Sequence, residues 1–264
     1  MPTDDLLRVE QRGPVTLLQL NRPEKRNAIN HELIVALGSF FSHPPEGSRV
    51  IVVHAAGEHF CAGLDLIEKI SKADRTAFEV LRNSQRWHRA FEKIQFGEVP
   101  VISVLKGAVI GGGLELAAST HIRVAESSAF FQLPEAQRGI FVGGGATVRV
   151  ARIIGAGRMV EMMLTGRIHD AKAGLELGLA HYVVPDGQGL DRAIEIAQGV
   201  ARNGAAANFT VINTIERIND MSINDGLMTE SFAAGMAHTA GEGSTRIASF
   251  FEARKVAKTD KPDE

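Results

Sequence analysis

A single cysteine, Cys61, stands in a chain of 264 residues, so no disulfide can form within it. Stability must come from the core, and 44% hydrophobic residues over this length can supply one. Neither sign of charge is in excess: 29 Lys and Arg face 31 Asp and Glu, a net charge of -2. That balance argues against a large non-specific nucleic-acid or membrane surface. No apolar run continues long enough to cross a bilayer. The opening Met1-Pro2-Thr3-Asp4-Asp5 lacks the basic and apolar regions of a secretory signal, so a reducing, cytoplasmic setting is expected. There is no tandem repeat, no low-complexity tract and no long Gly/Ser/Pro linker. The nine histidines form no ligand-spaced cluster, so no metal site is expected.

What is present reads as α/β. Val15 to Leu20, Arg49 to Ala55 and Val101 to Val109 are rich in Val, Ile and Leu and predict buried strands. Helical spacing between them covers about Asn30 to Phe41 and Arg75 to Ile94. Short strands are expected at His121 to Ala125 and Ala129 to Leu133. Helices follow near Ala146 to Ile154 and Met159 to Leu164. From Leu190 onward the pattern is helical, through Ala193 to Val200, Asn208 to Ile218, Gly226 to Ala237 and Thr245 to Lys255. The chain is therefore divided into an α/β core over residues 1–190 and a helical region over 191–264, with a frayed tail from Lys258.

Two features carry chemistry. Lys106 to Ser119 runs from a strand through Gly111-Gly112-Gly113 into a helix, a junction that exposes backbone N–H groups. It spells neither the dinucleotide fingerprint nor the phosphate loop. Glu115 follows Gly112 by three residues and so shares a helix face with it, amid Leu114, Leu116, Ala117 and Ala118. Burying an unpaired carboxylate is costly, which leaves a functional role or a buried arginine partner as explanations. Glu135 follows Pro134, which ends a strand; it is a site residue on the next loop, an exposed loop acid, or a partner for Arg138.

Phe60-Cys61-Ala62-Gly63-Leu64-Asp65-Leu66, Gly111-Gly112-Gly113-Leu114-Glu115-Leu116-Ala117, and Leu133-Pro134-Glu135 followed by Gly143-Gly144-Gly145 resemble, in order and spacing, the three signature regions of the enoyl-CoA hydratases in the crotonase superfamily. The similarity runs from the opening strand to Ser249-Phe250-Phe251-Glu252-Ala253-Arg254-Lys255. It implies a crotonase fold of repeated ββα units with a helical C-terminal region for oligomerisation and site cover, assembled as a homotrimer or homohexamer. It further implies a thioester carbonyl held between the amides of Leu64 and Gly112, and a water held by Glu115, Glu135 and the Gly143 amide. Glu115 would activate that water toward the β-carbon, and a protonated Glu135 would deliver a proton to the α-carbon. Coenzyme A would enter as part of the substrate, with no separate cofactor. Its contacts would be Lys25, the Ala62 carbonyl, Phe251 and Lys255, although each also reads as an ordinary turn, packing, core or helix-end residue.

The chain departs from many hydratases at Thr120-His121 and at Val142-Gly143, and Phe141 with Val142 makes one wall bulkier. The run Arg138 to Gly145 is similar to relatives acting on methylthioacryloyl-CoA, in which thioester hydrolysis follows hydration. His121 is expected to be structural, and Cys61 to be no nucleophile. Isomerases and hydrolases reuse the same fold, so both stay open beside hydration. Arg82, Arg86, Arg89 and Lys93 form a helical stripe that suits either a solvated face or, as in an RNA-binding relative, nucleic acid; the solvated face is preferred.

Overall fold

The computed structural model describes residues 6–71, 74–239 and 251. Among these, nine strands are formed: β1 (Leu7–Arg12), β2 (Val15–Leu20), β3 (Val50–Ala55), β4 (Val101–Leu105), β5 (Ala108–Ile110), β6 (Ile122–Glu126), β7 (Phe130–Gln132), β8 (His169–Asp170) and β9 (Tyr182–Val184). The α-helices are α1 (His31–Ser42), α2 (Leu66–Ser71), α3 (Ala77–Gln95), α4 (Gly112–Ala118), α5 (Ala146–Ile154), α6 (Ala156–Thr165), α7 (Ala171–Leu177), α8 (Gly189–Ala201), α9 (Ala205–Ile218) and α10 (Ile223–Thr239). The chain forms two compact units, Met1–Ala201 and Arg202–Glu264.

In the first unit a six-stranded sheet runs in the order β1-β2-β3-β4-β6-β9, and only the β1-β2 pair is antiparallel. Alternate residues point to opposite faces, and both faces are covered, so the parallel strands are apolar throughout. Val15, Leu17, Val50, Val52, Ile102, Val104 and Val124 pack on Ala193 and Ala197 of α8. Leu18, Leu20, Ile51, Val53, Leu105 and Ala125 face the main core, with Leu33 and Leu37 of α1 and Phe91 and Ile94 of α3. Because α8 covers this sheet, it belongs with the first unit, whereas the sequence pattern alone opens the helical region at about residue 190. The second unit contains α9 and α10, which pack on each other. The helix expected over Thr245 to Lys255 lies outside the described residues, apart from Phe251.

Val101 to Val109 is not one strand. The chain leaves β4, turns at Lys106-Gly107 and enters a second, three-stranded sheet, β5-β7-β8, as β5. Gly107 has φ of +50°, and a Cβ there would lie 2.4 Å from His59 Nδ1 and 2.5 Å from the Glu58 carbonyl oxygen. Only glycine suits both the backbone and the close approach. The pattern then repeats: β4, β5 and α4 are followed by β6, β7 and α5, with the first strand of each set in the large sheet and the second in the small one. These are the expected ββα units.

α3 begins with a full capping box. Thr76 Oγ1 accepts the Glu79 N–H at 3.3 Å, and Glu79 Oε2 accepts the Thr76 N–H at 2.8 Å. Trp87, Ala90, Phe91 and Ile94 recur at three- and four-residue steps and bury one face.

Candidate active site

The small sheet aims α4. Gly111 donates to the Gln132 carbonyl at 2.9 Å and adopts φ of +53°, after which every residue of α4 is buried. As the first residue of the helix, Gly112 has no intrahelical acceptor for its N–H. The Phe60 to Asp65 segment runs alongside: Cys61 bridges Val109, and the Ile110 N–H donates to the Cys61 carbonyl at 3.1 Å. On its other side the Ile29 N–H donates to Gly63 at 2.7 Å, and the Asp65 N–H donates to Ile29 at 3.0 Å. A Cβ on Gly63 would stand 3.2 Å from Gly112 N, and one on Gly112 would stand 3.5 Å from Leu64 N. The Leu64 and Gly112 amides are thus neighbours, set close by two glycines that leave no side chain between the strands. The Arg22 guanidinium clamps this loop through Asp65 at 3.1 Å.

Glu115 is buried one turn into α4, and its carboxylate is held by backbone rather than by an arginine. Oε1 accepts the Gly144 N–H at 2.8 Å and the Ala146 N–H at 3.0 Å. Burial raises its pKa from the ordinary range, while the amides of Ala146, Gly144 and Gly145 and the charge of Arg149 counteract that rise. Glu135 opens a 3-10 turn (Ala136–Arg138) directly after Pro134 and is only 8% exposed. Its Oε1 lies 2.5 Å from the place a Gly111 Cβ would occupy, and its Oε2 has no hydrogen-bond partner. The Glu135 pKa is pushed up to about 7, first by burial; its own N–H lowers it, and the charge of Glu115 raises it. Neither glutamate forms a salt bridge among the described residues: Glu135 is not paired with Arg138, and Glu115 has no buried arginine partner.

Leu64, Gly112, Glu115, Glu135 and Gly143 all line one cavity of about 240 Å³ in the first unit. Val80, Asn83, Ser84 and Trp87 on one face of α3 line it, as do Ile140, Phe141 and Val142 ahead of the Gly143-Gly144 loop. Trp87 and Ser84 are site residues that no sequence motif marks. Trp87 is 6% exposed, stacks edge-on with Phe91 at 5.7 Å, and touches both Gly112 and Gly144. Ser84 Oγ donates to the Gly143 carbonyl at 2.6 Å, tying α3 to the loop that holds Glu115. Their signal is present in the helical spacing of α3, but spacing alone does not say which core face borders a cavity.

The other candidates lie elsewhere. Lys25 is exposed on the 3-10 turn Pro23–Lys25 and does not line the cavity. Ala62 is half-buried beside Leu64, its N–H donating to the Arg26 carbonyl at 2.9 Å. Phe251 is exposed in the second unit, and Lys255 lies outside the described residues. Cys61 is buried, and its thiol pKa is pushed up to about 12 by burial, which suppresses the thiolate. His121 spans two backbone groups, accepting the Val101 N–H at 2.9 Å and contacting the Gln95 carbonyl at 3.0 Å through Nε2, a structural role. Of the basic stripe, Lys93 is bound to Gly38 and Ser42 of α1, and Arg86 contacts His31 and Asn83. No helix among the described residues is long and apolar enough to cross a membrane.

Adjacent free amides facing a pair of buried carboxylates, built on repeated ββα units, define an acyl-thioester enzyme of the crotonase superfamily. Comparison with known proteins agrees: residues 10–259 match the Enoyl-CoA hydratase/isomerase family, and the chain belongs to that family. The short-chain-enoyl-CoA hydratase of Clostridium acetobutylicum is 30% identical over 253 residues, covering 94% of this chain and 95% of that protein. The enoyl-CoA hydratase EchA19 of Mycobacterium tuberculosis is 32% identical over 84% of this chain and 85% of its own length. Among solved structures, a Rhodopseudomonas palustris protein provisionally named an enoyl-CoA hydratase superposes with a TM-score of 0.90 at 47% identity, covering 96% of each chain. The chain is an enoyl-CoA hydratase-like enzyme.

Proposed function

We propose that this enzyme adds water across the α,β double bond of an enoyl-CoA thioester, with Glu115 and Glu135 as its base and acid. The observation that carries the proposal is the asymmetry of the two carboxylates around one cavity. Two backbone N–H groups stabilise Glu115 as an anion, as a base toward water requires. Glu135, with an oxygen that has no partner and a pKa of about 7, suits the proton donor. Burial raises the pKa of both carboxylates, the N–H donors on Glu115 oppose that rise, and the shared proton is assigned to Glu135.

The thioester oxygen is assigned to the Leu64 and Gly112 amides, which stabilise negative charge as it develops on that atom and are worth several kcal/mol in such sites. The Gly143 amide is assigned to the water. Coenzyme A arrives with the acyl group as substrate; Lys25, Ala62, Phe251 and Lys255 remain its proposed contacts. Exposed Phe209, Ile215, Leu227, Phe232 and Met236 on α9 and α10 support burial against further copies, as a homotrimer or homohexamer requires. Sedimentation of the purified chain tests that assembly.

A panel of enoyl-CoA thioesters, methylthioacryloyl-CoA included, with mass spectrometry of the products, tests the reaction. Gain of 18 Da is expected with the parent. Glu115→Gln and Glu135→Gln should each lose at least 100-fold in kcat while still binding thioester. Full activity in either variant overturns the acid and base roles of the pair, and a shifted double bond without gain of water assigns the enzyme to isomerisation.

A further inference from the structure

We infer that the acyl end of this cavity is built for an enoyl group bearing a carboxylate away from the thioester, an inference that rests on the proposed acyl-CoA site and deepens it. Along α3 the cavity-lining residues step back from Trp87, beside Gly112 and Gly144, through Ser84 and Asn83 to Val80. Seven helical residues span about 10 Å, so the cavity extends well past the carboxylate pair toward the start of α3.

The same lining carries Asn30, His31, Glu68, Lys69 and Arg75. Arg86 contacts two of the lining residues, with Nη1 3.3 Å from His31 Nδ1 and 3.3 Å from Asn83 Oδ1. A guanidinium only donates, so His31 accepts at Nδ1 and Asn83 accepts at its oxygen. What Arg86 and Asn83 can still offer is donor in kind: the Asn83 amide NH₂ and the remaining guanidinium N–H groups. Glu68, the carboxylate at this end, is engaged, its Oε2 accepting the His31 N–H at 2.9 Å. Among the described residues Lys69, Arg75 and Arg86 form no salt bridge. Lys69 and Arg75 therefore bring two cations to a lining whose Glu68 is already engaged, with Glu79 near Arg75 and the Arg86 guanidinium next to His31 and Asn83.

An ionised carboxylate is an acceptor-only group that can take these donors and cations directly, which a plain alkyl tail or a thioether does not. Ile140, Phe141 and Val142, also in the lining, would pack on the methylenes that separate the carboxylate from the double bond. The electrostatics thus favour a dicarboxylic acyl group over the methylthio group suggested by the Arg138 to Gly145 run.

Calorimetric binding of saturated thioesters tests this without any need for turnover. The ligands are glutaryl-, adipyl- and pimelyl-CoA against valeryl-, hexanoyl- and heptanoyl-CoA, titrated into the parent, Arg86→Met, Arg75→Met and Lys69→Met, each checked for folding by circular dichroism. At least one carboxylated thioester should bind the parent fivefold or more tightly than its neutral counterpart. Arg86→Met and at least one of the other two variants should reduce that ratio below twofold. Lys69 and Arg75 are not packed in the core, so their variants keep the test open should Arg86→Met fail to fold. A ratio of one or less at every length in the parent overturns the inference. So does an equal loss for both members of a pair in the variants, which would assign these cations to the phosphates of coenzyme A. A parent that binds no thioester overturns the acyl-CoA site and this inference together, whereas one that binds all of them alike leaves the acyl-CoA site standing and removes only the carboxylate.

Discussion

Ser84 on α3 holds the carbonyl of Gly143, 59 residues away, at 2.6 Å. Gly144 follows immediately and donates its N–H to Glu115, so a hydroxyl in the cavity wall positions the amide that sustains the proposed base. Ser84→Ala should lower kcat about three- to tenfold with little change in KM, and cost about 1 kcal/mol of stability. Steady-state kinetics with crotonyl-CoA, alongside denaturant melts, provides the check. An unchanged kcat would mean that the loop keeps its shape without this hydrogen bond.

The pH profile follows from the two carboxylates. Glu135, with a pKa of about 7, loses its proton above neutrality, so kcat/KM should fall on the alkaline side. Protonation of Glu115 should produce the acid limb. In Glu135→Gln, whatever activity survives should show no alkaline limb near pH 7, and rates measured from pH 5 to 9 decide the matter.

The same raised pKa has a consequence for stability. An unfolded glutamate near 4.5 has already released its proton at pH values where folded Glu135 still holds one. The folded state therefore binds more protons between about pH 4.5 and 7, and stability falls as pH rises through that window. The loss attributable to Glu135 is up to about 3 kcal/mol. Glu135→Gln should flatten this slope and be more stable than the parent at pH 8, as urea melts at pH 5 and pH 8 would register.

Gly144→Ala would place a methyl group 2.6 Å from Glu115 Oε2 and 3.0 Å from Trp87 Cε3. The clash should destabilise the protein by about 1–3 kcal/mol and reduce kcat at least tenfold, because the carboxylate must move. Gly157→Ala, with nothing within 4 Å of the new Cβ, serves as the control and should shift stability by less than about 0.5 kcal/mol. Thermal melting and kinetics on both variants separate crowding from a general intolerance of alanine.

The parts legible from sequence are those where one local rule acts alone. Helix α1 starts where Asn30 caps it, with Oδ1 accepting the Leu33 N–H at 3.0 Å, and α3 starts at its capping box. Glu115 stands out because a carboxylate among alanines and leucines contradicts its surroundings. The sheet change at Gly107 is not legible, because Val101 to Val109 is apolar on both sides of the glycine and hydrophobicity does not record which sheet a strand joins. Strand β8, only two residues long, and β9 carry too little pattern to find. The amides that hold Glu115 come from a loop whose conformation depends on packing against α3, so the spacing of acidic residues does not reveal them. Arg86 reads as one member of a surface stripe, and only the fold brings it to His31 across 55 residues.

The chain has one tryptophan, and it lies in the wall of the cavity, against the glycine of the amide pair and the glycine beside Glu115. Intrinsic emission excited at the red edge of protein absorption therefore originates from the site alone. Occupancy, exchange rates and the ordering of the surrounding loops can be followed on the unlabelled native enzyme, without an introduced reporter.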